Sequence, residues 1–132
     1  MAGPQLSAVT FLVRDYDEAI AWFTQALGFL LLEDSKLGEN KRWVRLAASE
    51  GGTCLLLAKA EGSAQQDAIG HAAGGRVAYF LSTSDFHESY ARMQKAQVRF
   101  REEPRHEPYG TVAVFEDLYG NAWDLIQPAT VR

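Results

Sequence analysis

The side chains able to do chemistry are few and scattered along the chain. The single cysteine, Cys54, has no second thiol for a disulfide or a CxxC pair. A small thiol in an apolar run reads as packing rather than as an activated nucleophile. His71, His87 and His106 lie far apart in sequence, and each reads as an exposed surface residue rather than a displaced metal ligand. Asp124 stands out because it interrupts the apolar run Ala122 to Ile126. A carboxylate there needs a hydrogen-bonding or cationic partner, and Arg45 and Arg76 are the candidates within the chain. Such a pair suits either a ligand anchor or a general base beside an oxyanion-stabilising cation. Trp43 and Tyr109 are the aromatic residues least accounted for by helix packing, whereas Trp22, Phe23 and Trp123 fit a core. Two unassigned rings of this kind suit stacking on a flat ligand.

Composition narrows the classes of partner. With 132 residues, 47% hydrophobic residues and a net charge of −4, the chain fits one soluble globular domain with a real core. Nucleic-acid binding requires clustered Lys and Arg. Here the densest basic stretches, Lys41-Arg42 and the series Arg99, Arg101, Arg105, sit among Glu39, Glu102 and Glu103 and read as a solvated mixed surface. No apolar run approaches the roughly 20 residues that span a bilayer, and Met1-Ala2-Gly3-Pro4 lacks the pattern of a signal peptide. A cytoplasmic location is the resulting expectation.

The elements that must position these residues come twice. Leu6 to Val13 alternates as a strand, with Val9, Phe11 and Val13 on one face and Ala8, Thr10 and Leu12 on the other. A helix follows, opened by a capping-box-like Asp15 and Glu18 and stopped at Gly28. Its apolar face is Tyr16, Ile20, Phe23 and Leu27. Further on the grammar returns: strand Val77 to Leu81, capping pair Asp85 and Glu88, then Phe86, Tyr90 and Met93 at matching helical positions. Three β-like runs follow each helix. They are Leu30 to Asp34, Arg42 to Ala47 and Thr53 to Ala58 in the first half, and Val98 to Arg101, Thr111 to Glu116 and Ala122 to Gln127 in the second. Each half reads βαβββ, spanning about residues 5–60 and 75–128. The intervening residues 61–75 read as a surface linker with a helical turn at Ala64 to Ile69. The expected fold is α+β, with both halves in one domain over residues 1–132. Neither half buries its sheet and helix alone, so the halves pack together or against a second chain, and a homodimer is expected.

On these features the chain resembles the vicinal-oxygen-chelate superfamily of glyoxalases, bleomycin-resistance proteins and extradiol dioxygenases. The carriers are Val9-Thr10-Phe11-Leu12-Val13-Arg14-Asp15, running into the helix that ends at Leu27-Gly28-Phe29, and the ending Phe115 to Ile126. That ending is similar to the family's Asp-Pro-Asp-Gly-Asn turn and last strand, with Leu118 and Tyr119 in place of Pro and Asp. The resemblance implies cupped mixed sheets built from two βαβββ repeats. In metal-using relatives it implies four ligands from the first and last strands of both halves. Carried over, those places fall on Ala8, on Leu56 (or Cys54 with the register shifted by two), on Ala78 and on Asp124. Only one carboxylate remains, so no metal and no cofactor are expected.

Strand parity assigns Thr10, Leu12, Cys54, Leu56, Ala78, Phe80, Ser82, Ala122, Asp124 and Ile126 to the concave faces. A largely apolar lining with a few polar groups suits a small organic ligand. The expected ligand-binding set is Trp43, Arg45, Leu56, Arg76, Phe80, Tyr109 and Asp124, and no catalytic residue is assigned. The expected function is a metal-independent binding or sequestering protein of the bleomycin-resistance type, taking an aromatic or cationic organic ligand. The alternative is a lyase, isomerase or dioxygenase relative with a rearranged or metal-free active site.

Overall fold

The computed structural model describes residues 3–130. Its elements run β1 (Ala8–Val13), α1 (Tyr16–Ala26), β2 (Leu30–Lys36), β3 (Arg42–Ala47), β4 (Cys54–Lys59), α2 (Gly62–Ala68), β5 (Val77–Ser82), α3 (Phe86–Lys95), β6 (Arg105–Glu107), β7 (Gly110–Glu116) and β8 (Ala122–Pro128). The chain divides into two compact units between Ile69 and Gly70, inside the expected linker. That stretch also carries α2, seven residues long where the sequence suggested a turn. Among the described residues no helix is long and apolar enough to cross a membrane.

Each unit holds one four-stranded mixed sheet, ordered β1-β4-β3-β2 in the first and β5-β8-β7-β6 in the second. The first strand of each repeat lies parallel to the last, and the other pairings are antiparallel. The order follows from chain economy. The helix after the first strand serves as the crossover a parallel partner needs, and the remaining strands return as hairpins.

Helix α1 begins where Asp15 Oδ2 accepts the Glu18 backbone N–H at 2.8 Å, and α3 where Asp85 Oδ1 accepts that of Glu88 at 3.1 Å. The face α1 buries is Tyr16, Ala19, Phe23 and Ala26. Ile20 and Leu27, expected on that face, are only half-buried. The small alanines let the helix lie close to the sheet, which rotates the stripe toward them. Phe11, Val13, Phe23, Val44, Leu46 and Leu57 form the first core, with Phe11 and Phe23 edge to face at 5.2 Å. In the second unit Phe86, Met93, Ala113, Phe115, Trp123 and Leu125 are buried, and Trp123 lies 4.6 Å from the Tyr79 ring.

The sixth strand departs from expectation. Val98 to Arg101 forms no strand beyond one bridge between Phe100 and Phe115, and β6 lies at Arg105–Glu107 instead. Phe100 is held there by packing on Tyr90, at 4.6 Å between rings. Pro104 removes an amide donor before the ladder resumes.

Candidate functional site

In each unit the helix covers one sheet face and leaves the other open. Register fixes the open face of the first: Ala8 lies opposite Cys54, Thr10 opposite Leu56 and Leu12 opposite Ala58, while Arg45 pairs with Leu56 from the other side. Trp43, two residues before Arg45, shares its parity and is 40% exposed. Trp43 and Leu56 line a groove of about 680 Å³ with Tyr16, Ala58, Lys41 and Lys59. Arg42, also on its wall, is held by Asp34 at 2.7 Å and Asp17 at 3.0 Å, with its guanidinium 5.1 Å from the Tyr16 ring centroid. Arg45 reaches Glu33 at 3.0 Å, and its Nη1 lies 3.9 Å from Cys54 Sγ. The structure therefore groups Trp43, Arg45 and Leu56 on one surface.

The open face of the second unit groups Phe80 and Asp124, which lie opposite each other on β5 and β8. Val114 of β7 flanks Asp124 on its other side. Phe80 is 67% exposed. The Asp124 Oδ1 is shut off from solvent and accepts no hydrogen bond. Burial pushes the Asp124 carboxyl above its ordinary value; Arg105 opposes that shift and Glu102 adds to it.

The expected partners of Asp124 are corrected here. Arg45 is taken by Glu33. Arg76 is exposed just before β5, beside a crevice of about 30 Å³, and its side chain makes no ion pair among the described residues. The cation that acts on Asp124 is Arg105. Its guanidinium is clamped between Glu102 at 3.0 Å and Glu107 at 2.6 Å and gives no hydrogen bond to Asp124 Oδ1, on which it acts by charge alone. Glu102 is fixed in turn, accepting the Val114 backbone N–H at 3.1 Å. Tyr109, 54% exposed in the turn between β6 and β7, joins Glu102 and Glu107 in stabilising the Arg105 charge. Sequence reading missed this cluster by assigning Arg105 to a solvated surface. The available signal was Glu102, Arg105 and Glu107 themselves, two carboxylates bracketing one arginine beside a short strand.

Asp124 as a whole is half-buried, whereas a fully buried carboxylate nearby in sequence is structural. Asp117 is 5% exposed and accepts four hydrogen bonds, from the backbone N–H of Tyr119 and of Asn121, from Asn121 Nδ2 and from Trp123 Nε1, at 2.9–3.1 Å. Asn121 Oδ1 then accepts the Ala72 N–H at 3.0 Å. This network fixes the turn into β8 and so the position of Asp124.

The donor set does not fit a divalent ion. In the first unit Ala8 offers none, and the residue across from it is Cys54, beside the Arg45 cation. In the second, Ala78 offers none and the residue across from Asp124 is Phe80. No group of three or more His, Cys, Asp or Glu side chains is placed to hold a metal among the described residues. His71, His87 and His106 are all exposed.

Comparison with known proteins places these features in context. The family model described as the Glyoxalase/Bleomycin resistance protein/Dioxygenase superfamily matches residues 5–125. An uncharacterised protein of Shewanella frigidimarina (strain NCIMB 400) is 50% identical over 121 residues, covering 90% of each chain. The crystal structure of UcmS2 is similar with a TM-score of 0.81 and 30% identity, covering 95% of this chain and 98% of that one. That of TnmS3, an antibiotic binding protein from Streptomyces sp. CB03234, is similar with a TM-score of 0.75 and 26% identity, covering 98% and 99%.

Proposed function

The chain belongs to the glyoxalase/bleomycin resistance protein/dioxygenase superfamily, and from that membership we propose that it is a metal-independent protein that binds or sequesters a small aromatic molecule. The observation that carries this reading is the groove of about 680 Å³ on the first unit, where Trp43 and Leu56 offer an apolar, aromatic floor. Trp43 presents a ring face that the core does not use, and stacking on a flat ligand is the interaction it suits. Separately, the second unit presents exposed Phe80 opposite the half-buried Asp124 on its own open face. Alanines at two of the four metal-ligand places support a function without a metal. The likeness to TnmS3 supports binding as a use of this fold. The apolar side chains exposed on single chains, Phe80, Leu30 and Leu31 among them, support a homodimer.

A thermal-shift screen with flat aromatic compounds tests the reading. A ligand at a hundred times its Kd stabilises the native state by about 2.7 kcal/mol. The shift disappears in Trp43→Ala. A shift that survives Trp43→Ala unchanged rules out the groove as the binding surface.

A further inference from the structure

Strands β3 and β4 separate at one end. Their ladder joins Leu46 to Leu55, Arg45 to Leu56 and Val44 to Leu57, so Trp43, Arg42, Ala58 and Lys59 lie past its last pair. Each strand stays fixed on its outer side, since β2 follows β3 out to Arg42 and β1 follows β4 out to Lys59. A fork is left between them. The Arg42 backbone N–H is donated there to the Tyr16 hydroxyl of α1, at 3.2 Å. The groove of about 680 Å³ occupies this fork, with Trp43 on one prong, Leu56 and Ala58 on the other, and a lysine on each side, Lys41 and Lys59.

The charges on the groove wall are not equally free. Arg42 gives Nε and Nη2 to Asp34, and its Nη1 lies 3.0 Å from Asp17, so that guanidinium is spent. Lys41 and Lys59 are exposed, and their ammonium groups make no ion pair among the described residues. Glu61 is the one carboxylate among the lining residues, and it stands where α2 begins. Two uncommitted ammonium groups therefore line the groove against one carboxylate, around an aromatic floor. An ion pair formed on such a floor is screened less than one in open water.

We propose that the groove takes a flat aromatic acid, its ring stacked on Trp43 and its anionic group held by the Lys41 and Lys59 ammonium groups. This rests on the binding function proposed above and specifies the sign of the charge on what is bound. The sign is opposite to that of the cationic ligand expected from the sequence. The chain's net charge of −4 is a sum over all its residues, whereas the fork gathers lysines from two strands that are distant in sequence. A carboxylate only accepts hydrogen bonds and an ammonium only donates them, so the two match without a tautomer or a proton transfer. Trp43 fixes the plane of the ring, and the flexible lysine stems follow the position of the acid group.

Three probes of one shape test it by calorimetric titration at neutral pH: 2-naphthoate as the anion, 2-naphthalenemethanol as the neutral homologue and 2-naphthylmethylamine as the cation. The acid binds the wild-type chain roughly tenfold more tightly than the alcohol, and the amine binds weakest. In the double variant Lys41→Gln, Lys59→Gln the acid falls to the affinity of the alcohol. For the wild-type chain alone, whatever the variant does, the advantage of the acid shrinks as salt is raised. Equal affinity of wild type for acid and alcohol, or a preference for the amine, overturns the charge assignment and leaves aromatic binding standing. An advantage of the acid that persists in the double variant, or that ignores salt, overturns the two lysines as its anchor. Absence of binding by all three overturns this assignment together with the binding function on which it rests.

Discussion

Asp117 and Asp124 are both raised in proton affinity by burial, yet they do opposite work. Asp117 spends both oxygens on four donors, two of them side chains. An amide has only one acceptor, so Asp117→Asn turns donor against donor at Trp123 Nε1 or at the turn. The expected loss is about 1–3 kcal/mol by urea denaturation. Asp124 has an acceptor spent on nothing, and its ionised form is the costly one. The sign follows from proton counts. A carboxyl whose native proton affinity exceeds its unfolded value binds more protons in the native state across that window. Stability therefore falls as pH rises above the ordinary carboxylate value. Asp124→Asn accordingly raises the unfolding midpoint at neutral pH and loses that advantage in acid, a measurement made by thermal melts over pH.

At the scale of elements, the two aspartate caps are the most local part of the fold and the part most legible in the sequence. Asp15→Ala and Asp85→Ala each remove one side-chain acceptor from a helix start. Each is expected to cost about 1 kcal/mol in chemical denaturation. Strand parity was legible for the same reason: a period of two needs only neighbours, and it placed Leu56, Phe80 and Asp124 on open faces. What was not legible depends on contacts distant in sequence. The α1 stripe turns toward Ala19 and Ala26 because closeness to the sheet outweighs side-chain size. The Val98 to Arg101 segment has strand-like residues, but Phe100 is drawn to Tyr90, and pairing is deferred to Arg105–Glu107. That displacement places Arg105 where its charge acts on Asp124. The bracketing of Arg105 by Glu102 and Glu107 was the one local trace of it, and Arg45 and Arg76 were the expected partners. Gly110 has a similar long-range cause. Its φ of 151° and the approach of the Gln127 carbonyl leave no room for a Cβ. Gly110→Ala is expected to loosen the β7–β8 ladder, seen as faster amide exchange at Gln127 and its neighbours.

At the scale of the whole molecule, the repeat shows how the fold is held by parts that lie apart from its open faces. Both units keep the strand order, the capped helix and the buried aromatic core, all of which lie away from the ligand places. Ala8 and Ala78, at places where the family resemblance implies metal ligands, offer no donor to a divalent ion. Those faces then expose apolar surface that a monomer in water leaves unused. Sedimentation equilibrium is expected to report a homodimer, weakened by Phe80→Asp. A monomer at all concentrations contradicts that assembly. As proposed above, this chain binds an aromatic organic molecule through its own side chains without an ion. The most direct measurement is calorimetric titration of chelator-treated protein with a flat aromatic compound that gives the Trp43-dependent thermal shift, repeated after Zn²⁺, Ni²⁺, Mn²⁺ or Fe²⁺ is supplied. The account predicts saturable binding by the metal-free chain with the same Kd after each addition. Binding that appears only once a metal is restored contradicts it.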